Sequence, residues 1–327
     1  MTIAMGVQFE VMFVDPRSGG RVPVGPQVLE LVGLPGAGFS YGPTYSALRY
    51  RSPLFLRPEA LEAQLEEARA QVAQAAELVG AEARLLPLHP WAPAERLLAA
   101  PELAGRSLLG RQGWFHHQAM TAELTLVVEG LAPQPVEALA FDAPLLLALS
   151  TGSPVWAGQS TGFASSRSAI RHGDVTADGA VHWPEPPRDS LWPAPLEARD
   201  LSLDLTWLQA GRRIEYRLAD LPGRTEEIAA LAALAGAFAC APVPGLVLTP
   251  GQWNRNLWRC ARDGVHALLE LPGQSRRVPA HEVLVSRINA LECLVPARSR
   301  AVLGRMLARR RVLSVHPPGD QRSEVRA

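Results

Sequence analysis

The sequence predicts one α+β domain, and three observations lead there. Helical and strand patterns are mixed along the 327 residues, no internal repeat is present, and no linker clearly separates two halves. Residues 1–316 are therefore expected to form a single domain, with a disordered tail over 317–327.

Composition narrows the class. The 47% hydrophobic and 20% charged content is that of a soluble globular protein. Net charge is zero, so no basic field invites nucleic acid or an anionic membrane surface. No run of about 18 apolar residues exists, so no membrane span is expected. All 32 basic residues are arginine. The absence of lysine excludes a P-loop lysine, a Schiff base and a lysine general base. Cys240, Cys260 and Cys293 lack metal-ligand spacing and read as reduced thiols, and the N-terminus has no signal-peptide pattern; the expected compartment is the cytoplasm.

The elements follow in order. Residues 6–15 (GVQFEVMFVD) alternate as a strand, which puts Gln8 and Glu10 on one face. Residues 16–57 are rich in Gly and Pro; GLPGAG at 33–38 lacks the strand-then-helix context of a phosphate loop and reads as a turn. A strand over 45–51 would place Arg49 and Arg51 on one side. Residues 58–80 form the clearest helix, with Leu61, Leu65, Ala68, Val72, Ala75 and Val79 three or four apart. A short strand is expected over 83–88. His116 and His117 precede a strand over 124–128 and would point to opposite sides of it, so no metal site is expected there.

A helix over 136–150 feeds the most unusual stretch, 144–168. After its leucines come Ser150, Thr151, Ser153, Trp156, Ser160, Thr161, Ser165, Ser166 and Arg167. Composition permits two readings: a loop that lets backbone approach a ligand, or a buried connector whose hydroxyls satisfy backbone groups. Residues 172–200, dense in Pro, Trp, Asp and His, read as an irregular covering loop or lid. Strands over 201–207 and 213–219 make a hairpin on which Arg213, Glu215 and Arg217 share a face. That trio reads as a surface ladder, or as an anion and metal site inside a concave sheet. Helices over 224–240, 254–269, 279–294 and 297–311 complete the chain, with Trp258 and Arg262 four apart on one face.

Three segments in this order carry a family resemblance. LLLALSTGSPVWAGQSTGFASSRS, RRIEYRLADLP and NRNLWRCARDGVHALL resemble the corresponding stretches of the glutamate–cysteine ligase-like carboxylate–amine ligases, and GVQFEVMFVDPRSG resembles their N-terminal strand. The resemblance implies a glutamine-synthetase-like fold, with a curved, mainly antiparallel sheet covered by helices. It implies ATP-dependent amide formation through an acyl phosphate, with Mg2+ held by carboxylates and arginines stabilising the transferring group. On that basis Arg217 and Arg167 are candidate catalytic residues. Ser153, Trp156, Thr161, Asn256, Trp258 and Arg262 are candidates for binding substrate or nucleotide, and Glu10 and Glu215 for binding metal.

The sequence departs from the family where the metal chemistry is most demanding. Gln8 and Arg49 stand where the resemblance places metal-binding glutamates, Glu123 and Thr125 where it places histidines, and Arg255 where it places a glutamate before the asparagine. A like charge at roughly 4 Å costs about 4 kcal/mol at an effective dielectric of about 20. Three functions are then in view. The first is a family member without ATP-dependent ligation, acting as a binding or regulatory protein or as a subunit beside an active paralogue. The second is an active ligase with an altered metal shell of Glu10, Glu123 and Glu215, using Mg2+ and ATP. The third is a metal-independent binder of an anionic ligand at Arg49, Arg167 and Arg217. Partners in view are an amino acid or nucleotide and a homo- or hetero-oligomer, with no nucleic acid and no membrane.

Overall fold

The computed structural model describes residues 3–33, 38–90, 121–131, 141–156, 158–175, 181–188, 205–208, 212–243 and 246–313. Its centre is β1 (Ala4–Val14), whose odd-numbered Val7, Phe9, Val11 and Phe13 are all buried. Every pairing around β1 is antiparallel. One edge takes β3 (Ala47–Arg51) and, beyond it, β2 (Phe39–Tyr41). The other edge takes β5 (Leu124–Glu129) along its first half and β4 (Glu82–Arg84) along its end. Beyond β5 lie β11 (Arg213–Tyr216) and β10 (Leu205–Leu208), giving a seven-stranded sheet.

Helices cover the apolar face. The helix α2 (Pro58–Leu78) starts on Pro58, whose fixed φ suits a first turn, and buries Leu61, Leu65, Ala68, Val72 and Ala75. Later in the chain, α5 (Thr225–Cys240) lies against β1 and β5, with α2 and α8 (Ala297–Leu313) packed on it. Enclosure on several sides explains its composition: nearly every residue from Ile228 to Ala239 is buried, and alanines let neighbouring backbones approach.

Most expected elements are present, with shifted ends. The strand expected over 83–88 is only β4, and the helix expected over 136–150 is described as α3 (Ala143–Ser150). The helix expected over 254–269 begins earlier, as α6 (Pro250–Asp263), because Thr249 and Gln252 form a reciprocal N-terminal cap. Two of the described helices went unanticipated: α1 (Gly25–Val32), in a stretch marked only as rich in Gly and Pro, and α4 (Ser166–His172), capped by Ser165 at the end of the 144–168 stretch. Pro26 opens α1 and Val28 is its buried anchor. The expected lid is described in part, as a hairpin of β8 (Asp174–Val175) with β9 (Val181–His182) followed by residues 183–188. The 34–37 part of GLPGAG, the His116–His117 pair and the tail from 317 lie outside the described residues.

Candidate functional site

Alternation on β1 that buries the odd residues turns Gln8 and Glu10 to the other face of the sheet. Register then places Arg51 opposite Gln8 and Arg49 opposite Glu10. The neighbouring strands add Thr125, Glu123, Arg213, Glu215 and Arg217, with Glu129 opposite Arg213. Glu10, Glu215 and Arg217 therefore lie on one sheet face.

The carboxylates on this face are engaged by guanidinium groups. Arg49 Nη2 donates to Glu10 Oε1 at 3.1 Å. Arg213 and Arg217 take one oxygen each of Glu215, at 2.8 and 2.7 Å. Glu123 accepts from Thr125 Oγ1 at 2.9 Å and lies 3.5 Å from Arg217 and 3.8 Å from Arg171. Burial acts to raise the Glu215 and Glu123 carboxyls. Their arginines outweigh it: both are held below the usual carboxylate range, Glu215 by Arg217 and Arg213, and Glu123 mainly by Arg171 and Arg217. Glu10 goes the other way, because desolvation exceeds what Arg49 and Arg21 offset and Glu123 adds repulsion.

These groups do not fit a magnesium site. Mg2+ needs several oxygens at about 2.1 Å, and the oxygens here face cations instead. A divalent ion on Glu10 Oε1 would sit no more than about 5 Å from Arg49 Nη2, a repulsion of about 7 kcal/mol at an effective dielectric of about 20. Among the described residues no group of three or more His, Cys, Asp or Glu side chains gathers as a metal would require.

Arg167 lies elsewhere, and here the structure corrects the expectation. Its side chain is 1% exposed, with Nε donating to Ala122 O at 3.0 Å, Nη1 to Leu218 O at 3.2 Å and Nη2 to Arg217 O at 2.9 Å. A guanidinium spent on three backbone carbonyls holds the loop after β11 and is not turned to a substrate. Beside it is Asp220, fully buried, which accepts from Gly152 N (2.9 Å), Ser153 Oγ (2.8 Å) and Ser165 Oγ (2.7 Å). Asp220 N in turn donates to Ser150 Oγ at 3.0 Å. Most of the hydroxyls in the 144–168 stretch thus serve a buried connector, and Ser153 is a structural residue of it. Thr161 bonds Ser166 Oγ at 2.6 Å, and Trp156 is buried. Gly264, at φ +56°, closes the connector's contact with α6: a Cβ there would meet Thr151 Oγ1 at 2.9 Å.

The C-terminal candidates form a second cluster. Asn256 clamps the backbone of Glu270 from both sides, donating to its carbonyl at 2.9 Å and accepting from its N–H at 2.8 Å. Trp258 donates to Trp183 O at 2.7 Å, and Arg262 stacks 4.3 Å above the Trp258 ring. The Glu270 carboxylate binds Arg255 at 2.5 Å and Arg259 at 2.9 Å. Asp220 and Glu270, the two acids that organise these clusters, escaped sequence reasoning because their partners are reached only through tertiary contacts: Asp220 lies within RRIEYRLADLP and Glu270 directly after NRNLWRCARDGVHALL.

The Glu270 cluster makes stability depend on pH. Burial acts to raise its carboxyl, but Arg255 and Arg259 hold it down to about 2 from an ordinary 4.5. The folded state then binds fewer protons between those values, so the stabilisation is complete above about pH 5 and fades as pH falls toward 2. With solvent screening of an 18% exposed side chain, it amounts to about 2 kcal/mol at neutral pH. Glu270→Gln should lower stability by about that much at pH 7, and the gap to the parent should roughly halve at pH 3 in urea titrations. An equal gap at both values would disprove the assignment.

A helix-backed antiparallel sheet whose open face is polar defines the class: the fold is α+β and glutamine-synthetase-like. The chain belongs to glutamate–cysteine ligase family 2 (GCS2), whose family model matches residues 5–175. A protein of Rubrobacter xylanophilus named "Putative glutamate–cysteine ligase 2-3" is 31% identical over 312 residues, 87% of this chain and 83% of that one. A similarly named Micrococcus luteus protein is 28% identical, covering 88% and 79%. The crystal structure of Francisella tularensis glutamate–cysteine ligase in complex with AMP has a TM-score of 0.61 at 10% identity, covering 97% of this chain and 83% of that one. A bifunctional glutathione synthetase from Pasteurella multocida has a TM-score of 0.53 at 14% identity, covering 95% and 47%.

Proposed function

We propose that this protein is a family member that does not perform ATP-dependent ligation and acts in the cytoplasm as a binding or regulatory protein, or as a subunit beside an active paralogue. One observation carries the reading. Where the resemblance places a metal-binding glutamate and, on the later helix, the glutamate before the asparagine, this chain has arginines, and each is paired with a local carboxylate: Arg49 with Glu10, and Arg255 with Glu270. With a salt bridge at both positions, a cation would have to displace a guanidinium from Glu10 Oε1 and from the Glu270 carboxylate.

A second reading is favoured by Arg51, whose Nε and Nη2 meet the neutral Gln8 Oε1 at 3.2 and 3.0 Å. A guanidinium that faces a neutral acceptor suits an anionic ligand without metal. The reaction test is ADP release from ATP with Mg2+, glutamate and cysteine. The expected result is no release above a protein-free control. Turnover abolished by Glu215→Gln would overturn the reading and return the protein to an altered-shell ligase.

A further inference from the structure

We infer that the edge of the sheet at β2 and β3 carries a metal-independent binding site for a small oxyanion, either a carboxylate or a phosphoryl group. This rests on the anion-binding reading above and deepens it by giving the ligand a place. A cavity of about 760 Å³ opens between that edge and α2, within the size range of small-molecule sites. Its walls are Gln8, Arg49 and Arg51 on the sheet, Ser40 on β2, and Gln64 and Gln71 on α2.

Charge and hydrogen-bonding capacity point the same way. Arg51 gives Nε and Nη2 to Gln8 Oε1 at 3.2 and 3.0 Å, a neutral acceptor. Among the described residues it has no carboxylate partner, so its charge is uncompensated at the cavity wall. Arg49 gives Glu10 a single nitrogen, and its Nε is shielded from solvent with no acceptor among the described residues. Two guanidiniums two residues apart on one strand face, with donors left over, match the flat, bidentate geometry of an oxyanion. Gln64, Glu67 and Gln71 of α2 also line the cavity, on the Tyr50 side of the sheet edge. The site is separate from the Glu215 cluster, since Glu123, Glu215 and Arg217 do not line the cavity.

The test is calorimetric titration of the full chain with inorganic phosphate and with succinate, in EDTA. At least one should bind. Arg51→Gln should weaken that binding roughly tenfold or more, because charge-assisted hydrogen bonds are lost. Arg298→Gln, at an exposed pair with Glu62 far along the sequence, should leave it unchanged. Tighter phosphate binding would identify a phosphoryl ligand, tighter succinate binding a carboxylate. Arg51 is exposed, so its replacement leaves the core intact, and a matching melting temperature would verify this. Binding of neither anion, or binding indifferent to Arg51→Gln, overturns the inference. The outcome is independent of the ADP-release assay. Turnover with Arg51-dependent binding would retain this site and discard the non-ligating reading; neither turnover nor binding would do the reverse.

Discussion

Replacing Arg167 by Met is expected to lower stability by about 3–5 kcal/mol, enough to leave much of the protein unfolded or insoluble. The size follows from what the guanidinium holds. Three backbone carbonyls lose their donor, and the fully buried Asp220 loses the cation 3.9 Å away. Asp220→Ala should cost a comparable amount, since Gly152, Ser153 and Ser165 would lose their common acceptor. Arg262→Ala is the contrast: its side chain is 45% exposed and pairs with the adjacent Asp263, so about 0.5 kcal/mol is expected. Urea titration distinguishes the roles. A stable Arg167→Met protein would show that the residue is not the clamp its hydrogen bonds describe.

The double change Gln8→Glu, Arg49→Glu is expected to create magnesium dependence. It removes the 3.1 Å contact to Glu10 and sets three carboxylates at positions 8, 10 and 49 on one sheet face. Cross-strand neighbours in an antiparallel pair lie about 5 Å apart, close enough to share a hard cation. Without metal these charges repel, so the variant should melt below the parent in EDTA. With magnesium at about a hundred times its dissociation constant, binding would return about 2.7 kcal/mol. The parent should be indifferent to magnesium. No recovery in the variant would mean that the Arg213–Glu215–Arg217 group also bars the ion.

Sequence periodicity made the scaffold legible. Alternation in β1 and β5, the three-and-four spacing of α2 and the apolar run of α5 each follow from which face is buried, and that is written locally. The pairing of Gln8 with Glu10, and of Arg49 with Arg51, each on one face of its strand was equally legible, because a strand has period two; that all four share a face needed the register between the strands. Roles were harder to read. Arg167 and Arg217 look alike in sequence, yet one is sealed inside and the other borders Glu215 and Glu123. What separates them is contact at a distance in sequence: Arg167 meets carbonyls about fifty positions away, and Arg217 meets Glu123 farther still. The 144–168 stretch stayed ambiguous for the same reason: its hydroxyls meet Asp220, some 55 to 70 positions downstream. Glycines and prolines concealed α1, where Pro26 starts a helix instead of ending one.

If arginines occupy the carboxylates a nucleotide-bound cation would need, magnesium should not help ATP to bind. Calorimetric titration of ATP into the protein, with and without magnesium, reads this out. No magnesium-dependent heat is expected up to millimolar ATP. Saturable ATP binding at millimolar affinity or tighter that disappears in EDTA would show that the carboxylates remain open to the cation.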